Sequence, residues 1–131
     1  MNARKQLGIW MDHSNAILMD ASSDAILTTN IESDFTDFER RKSLKKGEYA
    51  MHSTEQHDRH AYYQKLSEAI KNYDRVVLFG PTSAKEELLN LLKADRHFEK
   101  KQIDVKNADQ MTKNQLNAFV KNHFKQMLEH Q

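Results

Sequence analysis

The run Arg75-Val76-Val77-Leu78-Phe79-Gly80 constrains this chain more than any other stretch. Its consecutive large apolar residues leave no polar side for solvent, so it reads as a buried central strand. Gly80-Pro81-Thr82-Ser83 then turns the chain, Ser83 and Glu86 have capping-box spacing, and Leu88, Leu89, Leu91 and Leu92 supply the apolar side of a helix. A buried strand that leads at once into a helix belongs in a sheet flanked by helices, which makes the chain α/β.

The flanking segments fill in that sheet. Leu7 to Asp12 and Ala16 to Asp20 are short apolar runs separated by His13-Ser14-Asn15, and they predict a hairpin. Ser22-Ser23-Asp24 marks another turn, and the β-branched content of Ala25 to Ile31 predicts a third antiparallel strand. Ser53 and Gln56 form a second capping-box pattern, after which Tyr62, Tyr63, Leu66, Ala69, Ile70 and Tyr73 recur at helical spacing and predict a helix to about Asn72. Gln102 to Val105 is a weaker strand. Thr112 and Gln115 make a third box with Met111 and Leu116 placed as a hydrophobic staple, and Leu116, Phe119, Val120, Phe124 and Met127 mark the inner face of a last helix. The order is βββαβαβα: a mixed, roughly five-stranded sheet with three helices, closed by hairpins in its first half and by right-handed parallel crossovers in its second. The arrangement is ribonuclease-H-like, which by itself assigns no function.

A length of 131 residues predicts one domain over 1–131, with a long basic and His-rich loop at about 32–54 where no period is convincing. Twenty Lys and Arg against nineteen Asp and Glu give a net charge of +1, so a polyanionic partner must be met by a local patch. The absence of cysteine excludes disulfides, thiolate metal sites and a thiol nucleophile, and fits a reducing compartment. No apolar run approaches the roughly 18 residues of a membrane span, and the N-terminus lacks the apolar stretch of a signal peptide, so the expectation is a cytoplasmic protein with no membrane partner.

The chemistry-bearing residues concentrate in that loop. Arg40, Arg41, Lys42, Lys45 and Lys46 place five cations within seven residues, enough to neutralise several phosphates, and Tyr49 beside them suits stacking on an exposed base. His52, His57 and His60 extend the candidate nucleic-acid surface. With Asp58 they also offer metal donors, but not in a His-Glu-x-x-His pattern, and neither a metal nor another cofactor is expected. The plain alternative for the whole segment is a solvated loop. Gly80, Thr82, Ser83 and Lys85 form a weak candidate for anion binding at a helix N-terminus, without the spacing of a phosphate loop. Asp12 and Asp20 flank the hairpin but do not assemble into a convergent two-metal set, and there is no Gly-x-Ser-x-Gly elbow. The residues therefore point to binding rather than to an enzyme.

The segments "GIWMDHSNAILM", "HSTEQHDRHAYYQKLSEAI", "VVLFGPTSAKEELLNLL" and "DQMTKNQLNAFVKNHF" resemble a family of small bacterial translational machinery proteins. These in turn look like a stand-alone middle domain of archaeo-eukaryotic peptide-release factors and of Pelota. The resemblance runs from Leu7 to Phe124, and "LFGPTSAKEEL" is its most specific segment. Gly80, Pro81, Lys85 and Glu86 match the strand-to-helix turn of such middle domains, while Thr82 stands where a second Gly is common. Release factors carry a Gly-Gly-Gln tripeptide in the loop before the first long helix. This chain has Lys46-Gly47-Glu48-Tyr49 in that neighbourhood and no Gly-Gly-Gln anywhere, so peptidyl-tRNA hydrolysis is not implied. What the resemblance implies is association with the ribosome or with tRNA. The alternative, from another class, is an interaction module that binds itself or another protein, and a homo-oligomer is compatible with either reading.

Overall fold

The computed structural model describes residues 5–23, 25–32 and 60–129, with side chains to 126. Five strands form one mixed sheet: β1 (Gln6–Met11), β2 (Asn15–Asp20), β3 (Leu27–Glu32), β4 (Arg75–Gly80) and β5 (Gln102–Asn107), in the order β3-β2-β1-β4-β5. β1, β2 and β3 pair antiparallel, whereas β4 lies parallel to both β1 and β5. Among the described residues the helices are α1, described over 60–70, α2 (Ala84–Lys93) and α3 (Lys113–Glu129). The predicted mixed five-stranded α/β architecture is thus observed, with the apolar run of β4 buried at every position.

Alternation along the central strands divides the core in two. Leu7, Ile9, Val76 and Leu78 face α1 and α2, where Tyr62, Leu66, Ile70, Leu88 and Leu92 meet them. Trp10, Val77 and Phe79 face α3 and pack against Leu116, Val120 and Phe124. Phe119 adds a stacked contact on Phe79, with ring centroids 4.2 Å apart. Two glycines permit the close approaches this requires. A Cβ on Gly8 would lie 2.4 Å from a methyl of Val120, so α3 sits directly on the β1 backbone. At Gly80 φ is +151°, and a Cβ would come within 2.1 Å of the Met11 carbonyl oxygen.

Several local expectations shift. The third strand begins at Leu27 rather than Ala25, because the preceding turn runs on: Asp20 accepts from the Ser22 amide and the Ser23 hydroxyl donates to the Ala25 carbonyl. α1 ends at 70, its last turn tightened by Asn72 and Tyr73 amides donating to Ala69 and Ile70. The Thr112–Gln115 box forms in both directions, at 3.2 and 2.9 Å, and Met111 packs with Leu116 in the α3 core. The Ser83–Glu86 box does not form. Ser83 has φ −78° and ψ 0° instead of the extended geometry of an N-cap, and its hydroxyl donates to Glu87. Leu91 is 44% exposed, not part of the apolar side, and an unforeseen 3-10 turn at Arg96–Phe98 inserts Phe98 into the core. The Ser53–Gln56 box and the Met127 side chain lie outside the described residues.

Candidate functional site

Parallel strands β1 and β4 end side by side, and the elements that follow them meet there. After Met11 the chain turns through Asp12-His13-Ser14, held by the Asp12 carboxylate, which accepts from the amides of Ser14 (2.8 Å) and Asn15 (2.7 Å). After Gly80 it passes through Pro81, Thr82 and Ser83 into α2. The first described turn of α1 lies against both, since the Tyr62 hydroxyl donates to the Asp12 carbonyl at 3.0 Å and the Tyr63 hydroxyl to Glu87 of α2. β3 ends at the same place, because Glu32 pairs with Asn15 beside the hairpin turn. The chain therefore leaves the described structure after Glu32 and re-enters it at His60 at one end of the sheet.

One carboxylate joins these elements. Glu87, on the first turn of α2, accepts from the Tyr63 hydroxyl of α1 at 2.8 Å, from His13 Nε2 of the hairpin turn at 3.1 Å and from the Ser83 hydroxyl at 3.2 Å. Burial alone would raise its pKa, but the bonds from His13 and Tyr63, the His13 charge and the Ser83 bond outweigh it and hold the group below its ordinary value. An ionised carboxylate only accepts, so Nε2 of His13 carries the hydrogen and Nδ1 is the nitrogen left to face other partners. The His13 and Glu87 side chains are 35% and 38% exposed, so the pair is open to solvent. Its chemistry is that of an oriented imidazole, able to accept through Nδ1 when neutral and to donate to a phosphate when charged. Ser83 gives its hydrogen to the carboxylate and not to an imidazole, so the Ser–His relay of acyl transfer is not assembled here.

The residues singled out in the sequence are distributed unevenly. Arg40, Arg41, Lys42, Lys45, Lys46, Tyr49, His52 and His57 lie outside the described residues. His60 is exposed at the start of described α1, where it borders a groove shared with Lys65, Glu68, Leu91 and Phe98. At the start of α2, Thr82 Oγ accepts from the Ala84 amide, and buried Lys85 turns its Nζ back onto the Thr82 carbonyl. Those polar groups are engaged by the turn itself. Asp12 and Asp20 sit at opposite ends of the β1–β2 hairpin, Asp20 accepting from Tyr73 at 2.8 Å, so they do not converge. Among the described residues no three His, Asp or Glu side chains gather into a metal-binding group, and no helix is long and apolar enough to cross a membrane. The sequence reading passed over His13, Tyr63 and Glu87 as polar participants. The one local sign was a His in a two-strand turn, which chain spacing alone cannot connect to a helix more than seventy residues away.

No protein-family model matches the chain, and no curated protein does. Solved structures do. Pelota of Archaeoglobus fulgidus superposes on 92% of this chain with a TM-score of 0.58 at 9% identity, and Pelota of Thermoplasma acidophilum on 92% with a TM-score of 0.60 at 15% identity. The chain spans about a third of the length of each, 32% and 33% respectively. The resemblance expected from the sequence is thereby borne out as a likeness of fold.

Proposed function

We propose that this chain is a non-catalytic, translation-associated protein that binds ribosomal RNA or tRNA through the basic segment from Arg40 to His60. The observation that carries the reading is the likeness in fold to Pelota over 92% of the chain. Two further features support it. The five cations of Arg40 to Lys46 belong to the stretch of sequence between Glu32, paired in β3, and His60 in α1, two described points at the same end of the sheet. Beside that platform stands the Glu87-oriented imidazole of His13, which in its charged form donates through Nδ1 to a phosphate oxygen. The mechanism is electrostatic docking, in which the basic segment neutralises phosphates and Tyr49 stacks on a base. No peptidyl-tRNA hydrolysis accompanies it, since the sequence has no Gly-Gly-Gln. In this reading the chain acts as a single cytoplasmic domain.

Co-sedimentation with ribosomes across a salt series from roughly 50 to 500 mM tests the proposal, because phosphate-dominated binding weakens steeply as salt rises. Reversing Arg40, Arg41, Lys45 and Lys46 to Glu is expected to abolish the association and leave the thermal midpoint nearly unchanged. Undiminished binding by that variant would remove the basic segment from the mechanism.

A further inference from the structure

Among the described residues three basic side chains are buried: Lys85, His123 and Arg75. Two of them have partners, since Lys85 Nζ donates to the Thr82 carbonyl and His123 is bonded to Asp104. Arg75 has none. It is 2% accessible, and among the described residues neither Nη1 nor Nη2 has a hydrogen-bond partner. Lysine and histidine can escape burial by losing a proton, but a guanidinium cannot, so its charge and its donors persist inside the fold. The two carboxylates beside it in the sheet are directed elsewhere: Asp104 to His123, and Asp74 to the Lys5 amide at 3.3 Å.

The strands supply further donors on either side of it. Register places Gln6 of β1 and Gln102 of β5 level with Arg75, and alternation keeps all three on the α3 side of the sheet. A guanidinium and two side-chain amides therefore cross the sheet in one row at the starts of β1, β4 and β5, the end opposite His13 and Glu87. From this row we infer that Arg75 anchors a binding site for a small oxyanion, held by the guanidinium fork and by the amides of Gln6 and Gln102. A water molecule would satisfy one donor and leave the charge. An oxyanion supplies a negative charge together with two oxygens for the parallel Nη donors, the pairing that makes Arg–carboxylate and Arg–phosphate contacts strong. The ion must be small, because donors this deeply buried are out of reach of a nucleic-acid backbone or of a partner's side chain. Its approach lies past Gln102, which is exposed on β5 at the edge of the described sheet, whereas Gln6 is half-buried. Inorganic phosphate and a carboxylate both present the required pair of oxygens. The site stands apart from the basic segment and does not depend on RNA binding.

Thermal melts of the full chain in sodium phosphate, acetate and chloride at matched ionic strength test the inference. An ion that binds only the folded state should raise the wild-type midpoint above its value in chloride, by roughly 3–6 °C at ten times the dissociation constant. Arg75→Met should start from a higher midpoint in chloride, having lost the unpaired donors, and should respond to neither ion. Gln102→Ala alters an exposed residue, so it should fold as the wild type does and need a higher ion concentration for the same rise. A rise with phosphate alone assigns the site to a tetrahedral oxyanion, and a rise with acetate alone assigns it to a carboxylate. A wild-type midpoint that neither ion moves overturns the proposal. So does an equal rise in Arg75→Met, which would mark a general salt effect on the folded chain. A Gln102→Ala titration that matches the wild type overturns the three-residue row.

Discussion

Arg75 is the residue whose surroundings least resemble what its sequence context suggests. It is the one charged residue in the β4 run, yet only 2% of it is accessible. Strand alternation puts it on the α3 side with Val77, and among the described residues neither of its terminal guanidinium nitrogens has a hydrogen-bond partner. Buried donors left without a bond destabilise the folded state, whereas the aliphatic stem packs well. Arg75→Met keeps the stem and removes the charge, so it should raise unfolding free energy by about 1 kcal/mol in urea titrations. Nothing local encodes this burial. The strand itself was legible from its apolar run, but which side of the sheet its first residue occupies depends on where α3 packs. Gly8 belongs to the same class: in sequence it is one glycine in a strand, and only the methyls of Val120 above it explain why no larger residue fits.

Among elements, legibility followed the range of the interactions. The Thr112–Gln115 box formed as read because both partners lie within one turn and the chain enters in the required conformation. The Ser83–Glu86 box did not, because Tyr63 and His13, remote in sequence, place their hydrogen bonds on Glu87 and the serine joins them. The α3–β5 contact adds a pH dependence. His123 is buried, with Nε2 3.1 Å from Asp104 Oδ2, and burial together with nearby Lys106 lowers its pKa despite the opposing pull of Asp104. A histidine depressed in the folded state binds a proton more readily once unfolded. Stability is therefore complete above the ordinary histidine range and declines as pH falls through about 6.5 toward the lower folded value. His123→Gln should flatten that decline in thermal melts between about pH 5 and pH 8. An unchanged slope would assign the dependence to other groups.

Across the whole molecule, the Glu87 carboxylate ties the hairpin turn, α1 and α2 together at one end of the sheet. Glu87→Ala removes the shared acceptor and is expected to lower stability by about 1–2 kcal/mol, a modest figure because solvent weakens each bond at a partly exposed carboxylate. Hydrogen exchange should quicken at the Ser14 and Asn15 amides more than in β4, which distinguishes loosening of this end from global destabilisation. The fold class was readable because apolar patterning is distributed along the chain, and the platform was not, because its parts meet only after the sheet has formed. The Gly8 contact carries one last consequence. Because a Cβ there would overlap the Val120 methyls, α3 is seated on the β1 main chain itself, and the spacing of helix and sheet is set by backbone rather than by a side chain that could repack.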